Sequence, residues 1–237
     1  MKKSIGFMIN KTALKMKNNI QVVKIGASSI YHDGKVDQGF LDSLAYDIYR
    51  FRQESIDSAL VISGSIRLGM IELGYDIQPQ DDNVRVLQRL AGVGQPKLIE
   101  LYSTKLKKYD IITSQVLITY HNLQDEKEEE NIENRIKDDL ANNIVPLVNY
   151  NDCVDDKGIV LHDSEGNLKI RDNDMLASAI AGYINASRLV ILTNSHSNGT
   201  IGGRETKEKA ISMAHNKSIQ VVVGEYSKGL YNLIQED

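Results

Sequence analysis

Short runs rich in valine and isoleucine alternate along this chain with longer stretches of helical periodicity, and that alternation restricts the fold more than any other feature. Strand, helix-length segment and strand in repeated order build a parallel sheet with helical crossovers, so an α/β architecture is expected rather than separate all-α and all-β domains. The expected strands are 20–25, 58–62, 110–118, 144–149, 189–193 and 219–223. Between the first two, Leu41, Leu44, Ala45, Ile48 and Tyr49 fall on one face of a helix, and Leu98, Leu101, Tyr102 and Leu106 do likewise further on. The acidic run QDEKEEENIENRIKDDL carries Ile132, Ile136 and Leu140 at fourfold spacing, which predicts a solvated helix with one apolar stripe rather than an interaction tail. LHDSEGNLKI (161–170) reads as a hairpin turned around Ser164 to Asn167.

With 237 residues, 41% of them hydrophobic, the chain can bury one sizeable core or two closely joined lobes. A formal net charge of −4 gives no global attraction to nucleic acid or to an anionic membrane, so neither is an expected partner. Cys153 is the only cysteine; no intrachain disulfide can form, and a cytoplasmic location is the simplest reading. Residues 1–19 are basic but lack a continuous apolar segment and read as a flexible extension, with Met8 and Met16 as alternative starts. No later stretch is apolar enough to span a bilayer.

One strand asks a chemical question. VVKIGASSI (22–30) sets Lys24 among apolar neighbours and then passes into small and hydroxyl side chains. An unpaired buried ammonium is costly, so Lys24 either snorkels to water or meets an anion at the strand's end. Familiar phosphate motifs fail elsewhere. GSIRLGMI (64–71) has P-loop glycine spacing, but Met70 and Ile71 stand where the lysine and hydroxyl must be. GVGQPK opens like a dinucleotide fingerprint, yet Lys97 replaces the third glycine and the segment follows a helix. The histidines at 32, 121, 162, 196 and 215 show no paired metal-ligand spacing, and no metal-ligand set is expected. What remains are glycine and Asx clusters at predicted strand ends: KIGASS, SGSIRLG, NYNDC and LTN, with DNDML opening a helix. Each alone is an ordinary turn or N-cap. Together they would converge beyond the carboxyl edge of a parallel sheet, where such sheets bind ligands.

These motifs, in this order, resemble the amino acid kinase superfamily and within it the glutamate 5-kinase branch. VVKIGASS is similar to the first-strand lysine motif, VISGSIRLG to the Ser-Gly-Ala loop, and LAGVGQPKLIELYSTKLKKYDIITSQVLIT to the long central helix with its following strand. NNIVPLVNYNDCV resembles the Asn-Glu-Asn-Asp loop, RDNDMLASAIAG the Asp-Asn-Asp helix entry, and GTIGGRETKEKA the Gly-Gly-Met-x-Thr-Lys phosphate loop. The resemblance implies a three-layer α/β/α sandwich around a mainly parallel sheet, the carbamate kinase-like fold. It divides residues 20–237 into an acceptor lobe of about 20–185 and a shortened nucleotide lobe of about 186–237, as in short forms without a C-terminal PUA domain.

The resemblance also implies roles. Lys24 and Lys207 would neutralise the transferring phosphoryl group, with Asp174 holding them in register. Ser63, Gly64, Asn149, Asp152 and Asn173 would bind the acceptor. Gly26, Ala27, Ser28, Thr193, Asn194, Gly202, Gly203 and Arg204 would hold the nucleotide. The implied activity is phosphorylation of the γ-carboxylate of L-glutamate by ATP with Mg²⁺, opening proline biosynthesis, in a homo-oligomer that is a dimer or tetramer. Phosphoryl transfer to a carboxylate asks for positioning and charge neutralisation, without a base. Three positions depart from the pattern: Tyr150 replaces a glutamate, Arg67 adds a cation where the family loop has a small residue, and Asn194 replaces an aspartate. Only Ser195 to Ile201 stand where the family carries a long nucleotide-binding segment. A kinase for UMP or another phosphorylated metabolite, with Arg67 gripping the phosphate, is one alternative; a degenerate binding or regulatory protein is the other.

Overall fold

Each expected strand is present, and the helices between them follow from caps and periodicity. In the computed structural model, residues 19–32, 34–75, 83–155, 161–162, 168–169, 173–193 and 203–235 are described. The first half of the chain runs β1 (Ile20–Ile25), the single turn α1 (Ala27–Ile30), β2 (Tyr31–His32), β3 (Lys35–Val36), α2 (Gln38–Gln53), β4 (Asp57–Ile62), α3 (Ser65–Leu73) and α4 (Val84–Lys107). It continues through β5 (Ile112–Ile118), α5 (Glu126–Ala141), β6 (Ile144–Tyr150), β7 (Leu161–His162), β8 (Leu168–Lys169) and α6 (Asn173–Tyr183). The last described elements are β9 (Arg188–Thr193), α7 (Gly203–Asn216), β10 (Gln220–Glu225) and α8 (Leu230–Gln235).

The main sheet has the order β10-β9-β1-β4-β6-β5, with every neighbouring pair parallel. All six strands therefore end on the same edge, and β1 lies inside the sheet. Because strand side chains alternate, β1 feeds two cores. Val23 and Ile25 pack with α2, α4 and α8, whereas Ile20 and Val22 pack with α5, α6 and α7. Those two helix layers make the three-layer α/β/α sandwich. The expected hairpin forms as β7 paired antiparallel with β8, its turn lying outside the described residues.

The acidic stretch is α5, capped by the Asp125 side chain on the N–H groups of Lys127 and Glu128, with Glu126, Glu128 and Glu129 favourably placed in the first turn. Ile136 and Leu140 of its stripe are buried, and Ile132 packs against them. At the edge opposite the strand ends, helices return to strands through tight turns. Ser55, Asp110, Asn143, Asn185 and Ser218 take left-handed φ values of 52–60° there. The N–H groups of Ile56, Ile111, Ala186 and Ile219 then bond to the carbonyls of Phe51, Leu106, Ala181 and Ala214. The turn at Asp110 explains why β5 starts at Ile112 and not at 110.

The helix expected around Leu98 extends back to Val84 despite Pro96 within it. Its amino-terminal half packs against α3, and two glycines make that approach possible. A Cβ on Gly69 would stand 2.0 Å from the Leu90 carbonyl oxygen, and one on Gly94 would stand 1.8 Å from that of Ser65. The glycines of the failed P-loop and dinucleotide motifs thus include two helix-packing positions. Residues 1–18 of the expected extension lie outside the described residues. Among the described residues no helix is long and apolar enough to cross a membrane.

Candidate functional site

The period of two that buries Val22 also turns Lys24 toward the α6 face, and α6 answers it with a carboxylate in its first turn. Lys24 Nζ lies 2.6 Å from Asp174 Oδ1, with Lys24 8% and Asp174 0% exposed. The anion that meets this lysine belongs to the chain itself. Gly26, the N-cap of α1, lies beside the ammonium: a Cβ there would make ordinary contact with Nζ, at 3.6 Å. Ala27 and Ser28 form the first turn of α1, where helical N–H groups point outward.

Beside this pair, β4 ends in the Ser63-Gly64 turn. Gly64 has φ of +117°, and a Cβ would stand 3.1 Å from Ile30 Cδ1 and 3.2 Å from Tyr31 Cε2, so the turn requires glycine. Tyr31 donates its hydroxyl hydrogen to the Gly64 carbonyl at 3.3 Å, and the Arg67 guanidinium lies 5.3 Å from the centre of the Tyr31 ring. Burial pushes the Tyr31 phenol pKa well above its ordinary value, and the positive charge of Arg67 opposes the shift.

Asn173 fixes α6 to two strand ends, donating from Nδ2 to the Ile62 carbonyl at 2.6 Å and to Asn149 Oδ1 at 2.9 Å. Asn149 Oδ1 also accepts the Tyr150 N–H at 2.9 Å, while Asn149 Nδ2 donates to Gln95 Oε1 at 2.8 Å. Gln95 is 7% exposed, and its Nε2 has no hydrogen-bond partner among the described residues. Such a buried donor is costly unless something else receives it. Gln95 was not among the candidate site residues read from the sequence. Its signal was a polar residue beside the buried helical face of Leu87, Leu90, Ala91, Gly94 and Leu98.

Asp152 lies half-buried in the turn after β6. That turn is fastened to the end of β5: the Asn151 N–H donates to the Ile118 carbonyl at 2.9 Å, and the Tyr120 N–H to Asp155 Oδ2 at 2.6 Å. The structure therefore joins Lys24, Asp174, Asn173 and Asn149, with Ser63 and Gly64 adjacent in chain to the Ile62 contact. Thr193 ends β9 on the other side of β1. Ser178 donates to the Ala210 carbonyl at 2.8 Å, so the parallel helices α6 and α7 lie side by side. One turn toward their amino ends, Asp174 and Lys207 come to a similar level, though among the described residues no ion pair joins them. Gly203 begins α7, the side chain of Arg204 is not described, and Asn194 and Gly202 lie outside the described residues. No group of three His, Cys, Asp or Glu side chains suited to a metal ion occurs among the described residues.

An open parallel sheet with helices on both faces, whose polar strand ends meet a helix amino terminus, defines an α/β/α protein of the class that binds ligands beyond the carboxyl edge of its strands. The chain belongs to the amino acid kinase family, whose model matches residues 19–197. Curated relatives include a glutamate 5-kinase of Alcanivorax borkumensis, 33% identical over 174 residues, covering 73% of this chain and 43% of the relative. Glutamate 5-kinase 2 of Bacillus licheniformis is 34% identical over 191 residues, covering 80% of this chain and 48% of the relative. The chain thus spans about half the length of these relatives. Among solved structures, carbamate kinase from Giardia lamblia bound to AMP-PNP superposes with a TM-score of 0.63 at 12% identity, covering 93% of this chain and 96% of that one. An isopentenyl phosphate kinase superposes at 0.58 and 18% identity, covering 92% and 97%. These neighbours share the fold.

Proposed function

We propose that the chain transfers the terminal phosphoryl group of ATP to the γ-carboxylate of L-glutamate, forming an acyl phosphate for proline synthesis. The observation that carries this reading is the buried Lys24–Asp174 pair at the end of an interior strand, beside the Asn149–Asn173–Gln95 amide network. A carboxylate oxygen of the acceptor forms the new bond to phosphorus as the bond from phosphorus to the leaving ADP oxygen breaks. The acceptor is already an anion, so no base is needed. Lys24 and Lys207 neutralise charge on the moving group, and Asp174 holds the Lys24 ammonium in place. Asp152 pairs with the substrate ammonium; the Gln95 Nε2 hydrogens, the second Asn149 amide hydrogen and the Ser63-Gly64 turn receive the reacting carboxylate, and Asn173, whose amide hydrogens go to Ile62 and Asn149, holds that acceptor network in place.

The Gly26-Ser28 turn, Thr193, Asn194 and the Gly202-Arg204 segment hold the nucleotide, dividing the chain into an acceptor side before about residue 185 and a nucleotide side after it. Asp174, the carboxylate at the end of β1, is paired with Lys24, and no group of three ligands occurs among the described residues, so Mg²⁺ fits as an ion carried on the nucleotide phosphates. There it neutralises phosphate charge. A homo-oligomer and a cytoplasmic location belong to the same proposal. Coupled ADP release measured across glutamate, aspartate, UMP and small phosphates tests it. Glutamate-dependent ADP release is expected; release driven only by UMP or another phosphorylated acceptor would replace the reading.

A further inference from the structure

Arg67 is exposed in the first turn of α3, three residues past Gly64, and among the described residues its guanidinium has no carboxylate partner. It is nonetheless positioned. The guanidinium lies over the Tyr31 ring at 5.3 Å, and that ring is anchored through its hydroxyl to the Gly64 carbonyl at 3.3 Å. The same ring and Ile30 stand close on Gly64, whose φ of +117° would strain any other residue and whose added Cβ would lie 3.1 Å from Ile30 Cδ1 and 3.2 Å from Tyr31 Cε2. Tyr31 therefore links the turn that follows Lys24 to the turn that follows β4, and Arg67 stands over that link. A cation stacked on an aromatic face loses some of its freedom before any ligand arrives. Its remaining N–H groups are arranged in a planar fork suited to a carboxylate or phosphate.

Resting on the reading above, we propose that Arg67 binds the acceptor's second anionic group, the one remote from the reacting carboxylate, and so selects substrates charged at both ends. For glutamate that group is the α-carboxylate. Lys24 already has Asp174 as its counter-charge, so Arg67 supplies a second positive charge at the mouth of the crevice and not at the phosphoryl position.

Glutamate and its α-amide, which keeps the γ-carboxylate but lacks the α-carboxylate, separate these functions. The native protein is expected to show a KM for glutamate at least about tenfold below that for the α-amide, in the range of a charge-assisted pair. Arg67→Met should raise the glutamate KM and leave the α-amide nearly unaffected, collapsing the ratio toward one, while Arg67→Lys restores part of it. The ATP KM should be the same in all three proteins, which a general loss of structure would not allow. A full preference for glutamate in Arg67→Met overturns the proposal even though turnover persists. Calorimetric titration with both compounds reads the same ratio without turnover. Binding that obeys the expected pattern in a protein that releases no ADP would overturn the kinase reading and keep the role of Arg67. No binding of glutamate in the native protein would overturn both.

Discussion

Lys24 and Asp174 form a buried pair, 2.6 Å apart, that ties an interior strand to the first turn of α6. Neither charge would be stable there alone. Lys24→Met is expected to lower turnover about 10²–10³-fold, as loss of a transition-state donor does. It should also destabilise the fold by about 3–5 kcal/mol, because Asp174 is left buried without its counter-charge. The double variant Lys24→Met/Asp174→Asn should regain much of that stability and none of the turnover. Denaturant midpoints beside steady-state rates check both effects; native turnover in either variant would make the pair purely structural.

Gly94→Ala should separate α3 from α4. The added methyl would stand 1.8 Å from the Ser65 carbonyl oxygen and 2.5 Å from the Gly69 nitrogen, both backbone atoms that cannot swing away. Overpacking of this kind costs about 1–3 kcal/mol or more, exceeding the helix-propensity gain of about 1 kcal/mol. Gln95 and the start of α3 would shift with it, so the acceptor KM should rise together with the loss of stability. A variant as stable as the native protein would show that the helices relax freely.

Asp47 gives the fold a pH dependence away from the site. Burial raises its carboxyl pKa, opposed by the Tyr231 and Leu230 N–H groups and by the charge of Arg50. A raised folded pKa favours folding most below the unfolded value of about 3.9, and that contribution is lost as pH rises through the folded value. Asp47→Asn removes the ionisation. The difference in Tm between variant and native protein should therefore increase in the variant's favour from about pH 4 toward neutrality. A difference that stays constant with pH would refute the assignment.

The strands were readable because hydrophobic runs and turn chemistry agree locally, and the even spacing of Val22 and Lys24 already placed the lysine on one face. What waits on that face was not readable from periodicity, and only the family resemblance set Asp174 beside the lysine. Asp174 lies far along the chain, and only the strand order that brings α6 against β1 makes it the partner. Gln95 was hidden for the opposite reason: its neighbours Gly94 and Pro96 drew attention as a loop motif, whereas the helix continues through them because Gly94 packs on Ser65. The clusters at the ends of β1, β4 and β6 were visible as turns, but the hydrogen bonds that unite Asn149, Asn173 and the Ile62 carbonyl depend on tertiary contact.

Asp152→Asn should weaken acceptor binding far more than nucleotide binding. The proposed partner of Asp152 is the substrate ammonium, and neutralising the carboxylate removes a charge-assisted bond while keeping the side chain's size. The loss should appear in the glutamate KM, with the ATP KM nearly constant. Equal losses on both substrates would move Asp152 to a structural or metal-related role.

Nucleotide selectivity is the last expectation, and it separates an enzyme from a remnant. β9 ends at Thr193 and α7 begins at Gly203, so only residues 194–202 connect them. Few side chains are available in that stretch to cover a purine ring, whereas Lys24, Gly202, Gly203 and Lys207 are the proposed phosphate contacts. Affinity should come chiefly from the triphosphate with its Mg²⁺ and little from the base. Mg·ATP and Mg·GTP should bind with similar, modest strength, and binding should weaken as salt screens its main attraction. Calorimetry with both nucleotides and with tripolyphosphate checks this directly. A strong preference for adenine would show that another part of the chain builds a base pocket. Failure to bind any of the three, beside measurable glutamate binding, would identify a protein that keeps the acceptor crevice without phosphoryl transfer.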